Sequence, residues 1–479
     1  MNKNFYITTT LPYVNSDPHI GFAMEIIRAD VIARYKKNIG VDVFFNTGTD
    51  EHGIKVYIKA LEAEMDPKTY VDRYAEKFFS LKKALNLFPD LNFIRTTDEH
   101  HTRSAQAFWR ICKKNGHIYK KNYQAKYCTG CELEKTDSEL NDEGKCLIHP
   151  NRELELIDEE NYFFKFSEFQ KPLLDFYDKT PDFVIPDFRY NEIKSFVTRG
   201  LSDFSISRLK SKMPWGVEVP DDADHVMYVW FDALVNYISC LGWPDETDKF
   251  EKYWAQGTPV QYCGKDNLRQ QAAMWQAMLM AAALPNSRHI VIDGFINVAG
   301  QKMAKSAGNM IDPFQLVEEY GTDAIRYFLT RELQPFEDSD YTPNRLQDAY
   351  NANLANGLGN LTSRIMQMAE TNLDSPIEVK NVPFHPDFIK HLENFDLQKA
   401  CDFIWHLVGQ ADLLIQDKQP FKLIKTDPEE AKEVIKKLIQ QLHSIATHLE
   451  IFMPETAEKI KQTIKTNRKP EQPLFARND

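Results

Sequence analysis

At 479 residues and 43% hydrophobic content, the chain can hold roughly two to four domains with packed cores. A net charge of −12 argues against a non-specific nucleic-acid coat, which carries a basic excess, but leaves room for a nucleic acid held on a local patch. No apolar run approaches the roughly 20 residues of a membrane span, the N-terminal stretch lacks a signal peptide's h-region and cleavage pattern, and seven cysteines cannot all pair, so a cytoplasmic protein without a disulfide framework is expected.

NFYITTT (4–10) is rich in β-branched and aromatic residues and predicts a strand. Ile20, Met24, Ile27, Val31 and Tyr35 then recur at steps of three and four, which predicts an amphipathic helix ending near Gly40. VDVFFN (41–46) is a second strand, followed by TGTDEHG and a helical pattern through YVDRYAEKFFSLKKALNLF. Strand, helix, strand, helix implies an α/β fold with a doubly wound, Rossmann-like parallel sheet. Over residues 115–222 the pattern changes to short strands, turns and clustered cysteines, the mark of an insertion. The α/β pattern returns with MYVWFDALVNYISCLGW, the strand TPVQYCG, a helix DNLRQQAAMWQAMLMAAAL and the strand HIVIDGFINV, so one sheet is built from two separated stretches. Beyond residue 344 long helical patterns dominate, with Leu354, Leu358, Leu361, Ile365 and Met368 on one stripe, and predict a C-terminal helical bundle; KPEQPLFARND reads as a frayed tail.

Two motifs carry chemistry. PHIG (18–21) stands between a strand and a helix, where unpaired backbone N–H groups favour anions; Gly21 lets a flat ligand approach, and His19 can either donate to a phosphate or simply cap the helix. No glycine-rich fingerprint for a dinucleotide or P-loop nucleotide follows the first strand. GQKMAKSAGN (300–309) places Lys302 and Lys305 between two glycines after a strand, a cationic loop able to close over a polyphosphate, although exposed lysines taken alone are commonly just solvated. Separately, Cys128 and Cys131, then Cys146 and His149, form two knuckle-like pairs with the four soft ligands of a closed tetrahedral Zn2+ site, which is structural because all four positions are filled by protein. Cys112, Cys240, Cys263 and Cys401 show no such pairing and read as buried thiols.

PHIG and KMAKS are similar to the HIGH and KMSKS signatures of class I aminoacyl-tRNA synthetases. Together with LPYVNSDPHIG, NTGTDEHG, YVWFDALVNY, GKDN, DPFQLVEEYGTDAIRYFL and NANLANGLGNLTSR, the chain resembles the methionyl-tRNA synthetases from residue 6 to about residue 364, and more weakly to its end. The resemblance implies that L-methionine is activated by ATP with Mg2+ and transferred to tRNA(Met), with catalysis by alignment and charge neutralisation and with no protein nucleophile. It implies His19, Gly21, Asp266, Lys302 and Lys305 at the ATP site, with His19 and the two lysines catalytic. Leu11, Tyr13, Trp230, Ala233 and Tyr237 would line the methionine slot, Asp50 would take the ammonium group, and Gln271 stands where relatives often carry a histidine. Read without the resemblance, Trp230 and Tyr237 are seven apart on one predicted helix, share a face, and on spacing alone read as ordinary core aromatics.

Asn356, Asn360 and Arg364, spaced by four, resemble anticodon-reading residues, and Phe421 falls where relatives carry a base-stacking tryptophan. The implied division is a first catalytic half at 1–114, a zinc-bearing connective insertion at 115–222, a second catalytic half at 223–293, a signature-loop and stem-contact region at 294–345, and an anticodon-binding bundle at 346–479. The insertion is too short to add a large editing domain, and without an appended oligonucleotide-binding barrel a monomer is expected. Two departures stand out: the family's final signature histidine is Phe22, and the loop serine is Ala304. They leave open a compensated enzyme or a weakened, tRNA-gripping paralogue; a class I ligase for another amino acid, such as cysteine, is the third reading.

Overall fold

The computed structural model describes residues 3–478 except 132, 136, 304–307 and 381. The chain forms two compact units, one of residues 1–17, 41–80 and 90–292, the other of residues 18–40, 81–89 and 293–479.

The first unit holds a parallel sheet built from β1 (Asn4–Thr9), β2 (Asp42–Thr49) and β3 (Asn92–Arg95), all from the early part of the chain. The insertion then contributes β4 (Ile118–Cys128), β5 (Leu133–Lys135), β6 (Glu155–Phe164), β7 (Val184–Ile185), β8 (Phe204–Ser205), β9 (Ser207–Leu209), β10 (Glu218–Val219) and β11 (Asp222–Met227). After it come β12 (Thr258–Gly264) and β13 (His289–Asp293). The main sheet runs β3-β2-β1-β12-β13-β7, so the two stretches separated by the insertion do join in one sheet. β1 lies between β2 and β12 and is buried from Phe5 to Thr9, which is why its sequence reads as an unbroken β-branched and aromatic run. The insertion carries its own antiparallel sheets, β5-β4-β6-β8 and β10-β11-β9. Helices α1 (Ile20–Asn38), α2 (Ile54–Glu62), α3 (Pro67–Ala84) and α4 (Glu99–Lys114) alternate with the early strands.

In the second unit, α1 departs from the amphipathic reading because it is buried almost all round. Its polar residues are therefore paired: Arg28 bonds Asp293 at 2.9 Å and four backbone carbonyls, and Asp30 accepts from Arg326 at 2.6 Å and from the Phe88 N–H at 2.5 Å. The single strand read at HIVIDGFINV is two, since the chain leaves the main sheet at Gly294 and β14 (Ile296–Val298) pairs instead with β15 (Gln301–Lys302) and β16 (Ser339–Tyr341). The bundle follows, in helices Asn360–Asn372, Leu397–Lys418, Pro428–Leu449 and Pro454–Thr466. Leu354, Leu358, Leu361 and Ile365 form its buried stripe, but Met368 is only half-buried, and Met366 and Ala369 face the core in its place. The tail is not frayed: Phe475 packs edge-on against Tyr350 at 5.9 Å, and the Tyr350 hydroxyl donates to the Ala476 carbonyl at 2.9 Å.

Candidate active site and metal centre

In the first unit, residues expected at the site follow the carboxyl ends of three adjacent parallel strands, the usual position for ligands in such sheets. Leu11 and Tyr13 follow β1, Asp50 follows β2, and Asp266 follows β12 in a short turn of helix at Lys265–Asn267. Tyr13 and Asp50 are locked in register by backbone hydrogen bonds, Val14 N–H to Asp50 O at 3.2 Å and Asp50 N–H to Pro12 O at 2.9 Å. Across from them the Trp230 ring meets Tyr13 edge-on, with centroids 6.4 Å apart. Leu11, Asp50, Ala233, Tyr237 and Gln271 are buried, whereas Asp266 is exposed. Trp230 and Tyr237 do not share one continuous helix: the segment is broken into Val229–Ala233 and Asn236–Ser239. Tyr237 instead accepts a hydrogen bond from Gln271 Nε2 at 2.5 Å.

Two residues inside the quoted motifs received no role from the sequence, and the structure makes them central. Asp232, two positions after Trp230, accepts from His52 Nδ1 at 2.7 Å and contacts His101 Nε2 at 3.0 Å; His52 itself lies two positions after Asp50. Burial of the Asp232 carboxyl pushes its pKa up, but the charge of His52 and the hydrogen bonds from both imidazoles outweigh it and hold the value at about 2. Glu51, fully buried, receives Thr49 Oγ1, Thr97 Oγ1 and a two-pronged Arg95 guanidinium at 2.5–2.8 Å. Both neighbours of Asp50 are thus fixed, a rigid frame of the kind a binding carboxylate needs. The available signal was the acidic and imidazole density of TGTDEHG.

In the second unit, His19 is the N-cap of α1, and its Nδ1 accepts from the Gly21 N–H at 3.1 Å. Burial lowers the His19 pKa, so the ring is neutral and the accepting Nδ1 leaves the proton on Nε2. The cap and phosphate-donor readings are therefore compatible, because capping through Nδ1 is what presents Nε2–H as a donor. A Cβ on Gly21 would lie 2.9 Å from His19 Cε1, so glycine is needed for the ring to sit over the turn. The same site is 3.5 Å from the Met303 methyl, and the Ile20 N–H donates to the Ile311 carbonyl at 3.0 Å. Segments nearly 300 residues apart thereby share one helix mouth. Lys302 is exposed with its ammonium 5.0 Å from the centre of the Phe295 ring; Lys305 and Ala304 lie outside the described residues. Phe22 is buried and holds an apolar position at the start of α1.

The metal ligands come together. One donor atom from each of Cys128, Cys131, Cys146 and His149 lies within 4.8 Å of every other, with Cys131 Sγ 3.5 Å from Cys146 Sγ and 3.2 Å from His149 Nδ1. These separations are close to the roughly 3.8 Å edge of a tetrahedron with metal–sulfur bonds of about 2.3 Å. Gly130 lies against the ligand ring, where a Cβ would stand 2.5 Å from His149 Cγ. Its carbonyl accepts from Lys55 Nζ at 2.9 Å, and that ammonium lies 5.3 Å from the centre of the Tyr13 ring. The three thiols and imidazole fit a metal ion and are compatible with zinc.

In the bundle, Asn356 and Asn360 are exposed one helical turn apart, while Arg364 is held by Asp412 at 2.8 Å. Phe421 is 50% exposed, unusual for so large an apolar ring. Cys112, Cys263 and Cys401 are buried, and Cys240 is partly so, within 3.2 Å of the Tyr6 hydroxyl. Among the described residues no helix is long and apolar enough to cross a membrane.

Comparison with known proteins agrees with this arrangement. The family model described as tRNA synthetases class I (M) matches residues 5–149 and 133–366. The methionine–tRNA ligase of Rickettsia bellii is 38% identical over 98% of this chain and 94% of its own length, and that of Thermotoga maritima is 39% identical over 97% and 76%. The structure of Mycobacterium tuberculosis methionyl-tRNA synthetase in complex with methionyl-adenylate superposes with a TM-score of 0.90 at 35% identity, covering all of both chains. The apo form of that enzyme superposes with a TM-score of 0.84 at 31% identity over 100% of this chain and 99% of its own. The chain belongs to the class I tRNA synthetases, in the methionine–tRNA ligase family.

Proposed function

We propose that this chain activates L-methionine with ATP and transfers it to the 3′ end of tRNA(Met), acting as a monomer. A methionine carboxylate oxygen bonds to the α-phosphorus of ATP while the bond from that phosphorus to the bridging oxygen breaks, giving methionyl-adenylate and pyrophosphate. A terminal tRNA hydroxyl then attacks the activated carbonyl and AMP leaves. The protein's part is to hold reactants in line and to stabilise charge on the phosphate oxygens. His19 Nε2–H donates to the ATP phosphates, Gly21 admits the adenosine, and Lys302 and Lys305 supply mobile positive charge. Asp266 holds the ribose. Asp50 takes the substrate ammonium, and Leu11, Tyr13, Trp230, Ala233, Tyr237 and Gln271 shape the side-chain slot. Mg2+ bound with ATP would offset phosphate charge.

Cys128, Cys131, Cys146 and His149 would hold a structural Zn2+ that fixes the fold of the insertion. Asn356, Asn360, Arg364 and Phe421 read and stack the anticodon bases. The division into catalytic halves at 1–114 and 223–293, insertion at 115–222, signature-loop region at 294–345 and bundle at 346–479 is the functional partition we assign.

The observation that carries this reading is the meeting of the Pro18–Gly21 turn with the segment bearing Met303 and Ile311, which sets one imidazole donor beside the root of the lysine loop. Phe22 cannot donate to a phosphate or ribose oxygen, so about 1–3 kcal/mol of contact must come from elsewhere. The test is pyrophosphate exchange into ATP across the twenty amino acids, using folded, metal-loaded protein. Exchange should depend on methionine; its absence would leave a tRNA-binding relative without activation, and exchange driven by another amino acid would reassign the substrate.

A further inference from the structure

The last helix of the bundle, Pro454–Thr466, and the tail that follows it enclose a groove of about 840 Å³. The helix stops at Asn467, whose backbone enters the left-handed region at φ 51°, a conformation asparagine tolerates better than most side chains. Its Nδ2 donates to the Leu373 carbonyl at 3.1 Å, which pins the turn to the end of helix Asn360–Asn372. The chain then passes Arg468 and Lys469 and sets Pro470–Leu474 opposite the helix as the second wall. Lys459, Lys465, Arg468 and Lys469 line this groove, all four exposed, against a single lining carboxylate, that of Glu471. Among the described residues none of these four cations pairs with a carboxylate, whereas Lys418, Lys432, Lys436 and Lys461 of the same bundle each do. In a chain of net charge −12, four unneutralised cations along one groove mark a place for an anion.

We infer that this groove holds the sugar–phosphate backbone of the tRNA whose anticodon bases meet Asn356 and Asn360. Its lining has no aromatic ring on which a base could stack, so it offers charge without base readout. Lys459 and Lys465 lie on one helix about 9 Å apart along its axis, and a strand carries one phosphate per roughly 3.4 Å of duplex axis, so two or three phosphates fit the row. The tail supplies the link to the base-reading face. Phe475, which follows the groove wall, lies against Gly359, where a Cβ would stand 3.8 Å from its Cδ2, and Gly359 directly precedes Asn360. The wall therefore leads to the residue that meets the bases, and one RNA can touch both. The docking of Phe475 on Tyr350 acquires a purpose, since it holds that wall in place. The inference rests on the tRNA reading above and adds to it a contact that is independent of sequence.

The test measures binding of a tRNA(Met) transcript by fluorescence anisotropy from about 50 to 200 mM salt, beside a transcript with a changed anticodon. Methionine-dependent pyrophosphate exchange is scored separately, so failure of the enzymatic reading and failure of the groove are told apart. In the double variant Lys465→Gln, Arg468→Gln both transcripts should bind roughly ten-fold more weakly at the lowest salt, and the slope of log affinity against log salt should become shallower by about 1.5, the share of two phosphates. An unchanged melting temperature certifies the fold, and exchange should be unchanged. Asn360→Ala should instead weaken only the matching transcript and leave the salt slope as it is. An unchanged slope in the double variant overturns the inference, as does a loss confined to the matching transcript, or wild-type protein that binds neither transcript. Poly-L-glutamate should displace the RNA only at a much higher concentration of charge; equal competition would give the groove to an acidic protein segment and overturn the inference as well.

Discussion

At the scale of single residues, Gly21 and Asp232 give the sharpest expectations. An alanine at position 21 puts its Cβ 2.9 Å from the His19 ring carbon, so the imidazole must leave the position that its Nδ1 cap imposes. Glycine within a helix is about 0.5–1 kcal/mol less favourable than alanine, which offsets the loss of a helix cap of about the same size, so Gly21→Ala should melt close to wild type. Exchange should nevertheless fall by about ten-fold or more, because a donor aimed at developing charge is displaced. Equal loss of stability and activity would instead mean a simple packing role. Asp232 makes a prediction in pH. Its folded value of about 2 lies below the ordinary 3.8, so between these values the unfolded chain binds the extra proton. The carboxylate's contribution, about 2 kcal/mol, is complete above pH 4 and is lost as pH falls toward 2. Denaturant titrations at several pH values should show Asp232→Asn less stable than wild type at neutral pH, with a shallower decline between pH 4 and 2.

Among the elements, the knuckle formed by Cys128, Cys131, Cys146 and His149 is the one whose four side chains could hold a metal ion. β4 ends at Cys128 and is separated from Cys146 by the three-residue β5, a short turn of helix at Asp137–Glu139 and turns. Replacing Cys131 with serine should abolish stoichiometric metal and increase proteolytic cleavage within 115–222, while ATP protection of the second unit is unchanged; retained metal would remove the four-ligand assignment. These ligands were legible because pair spacing is local information that tolerates ignorance of the fold. Strands β1, β2 and β12 were legible for a related reason, since buried strands are dense in β-branched and aromatic residues. Elements whose fate depends on distant packing were not. The bend after β13 answers to β16, the docking of Phe475 answers to Tyr350, and the break between Trp230 and Tyr237 has no local proline or glycine to announce it. The polar supports were hidden most completely: His101 with Asp232, and Gln261 and Ser287 with Gln271, are joined only by the fold, and a lone glutamine in a helix carries no pattern.

For the whole molecule, the net charge of −12 bears on how it handles a polyanion. A protein that repels nucleic acid on average must draw specific affinity from a limited set of contacts, and the exposed Asn356, Asn360 and Phe421 are uncharged groups suited to bases more than to phosphates. In the function proposed above, amino-acid activation rests on Asp50 of the first unit and His19 of the second, one buried and the other a helix cap, and neither needs RNA. The two reactions should therefore separate. Asn360→Ala should lower kcat/KM for tRNA charging by about ten- to a hundred-fold, the value of one or two lost base contacts at roughly 1–3 kcal/mol, with methionine-dependent exchange unchanged. Salt should separate them again, since single-stranded contacts lose affinity with a slope near −0.7 per neutralised phosphate. Raising salt from about 50 to 200 mM should weaken charging modestly, through KM for tRNA, because few phosphates are engaged. A steep dependence, with a slope beyond about −5, would instead place most of the affinity on the RNA backbone and assign the bundle's asparagines a secondary part.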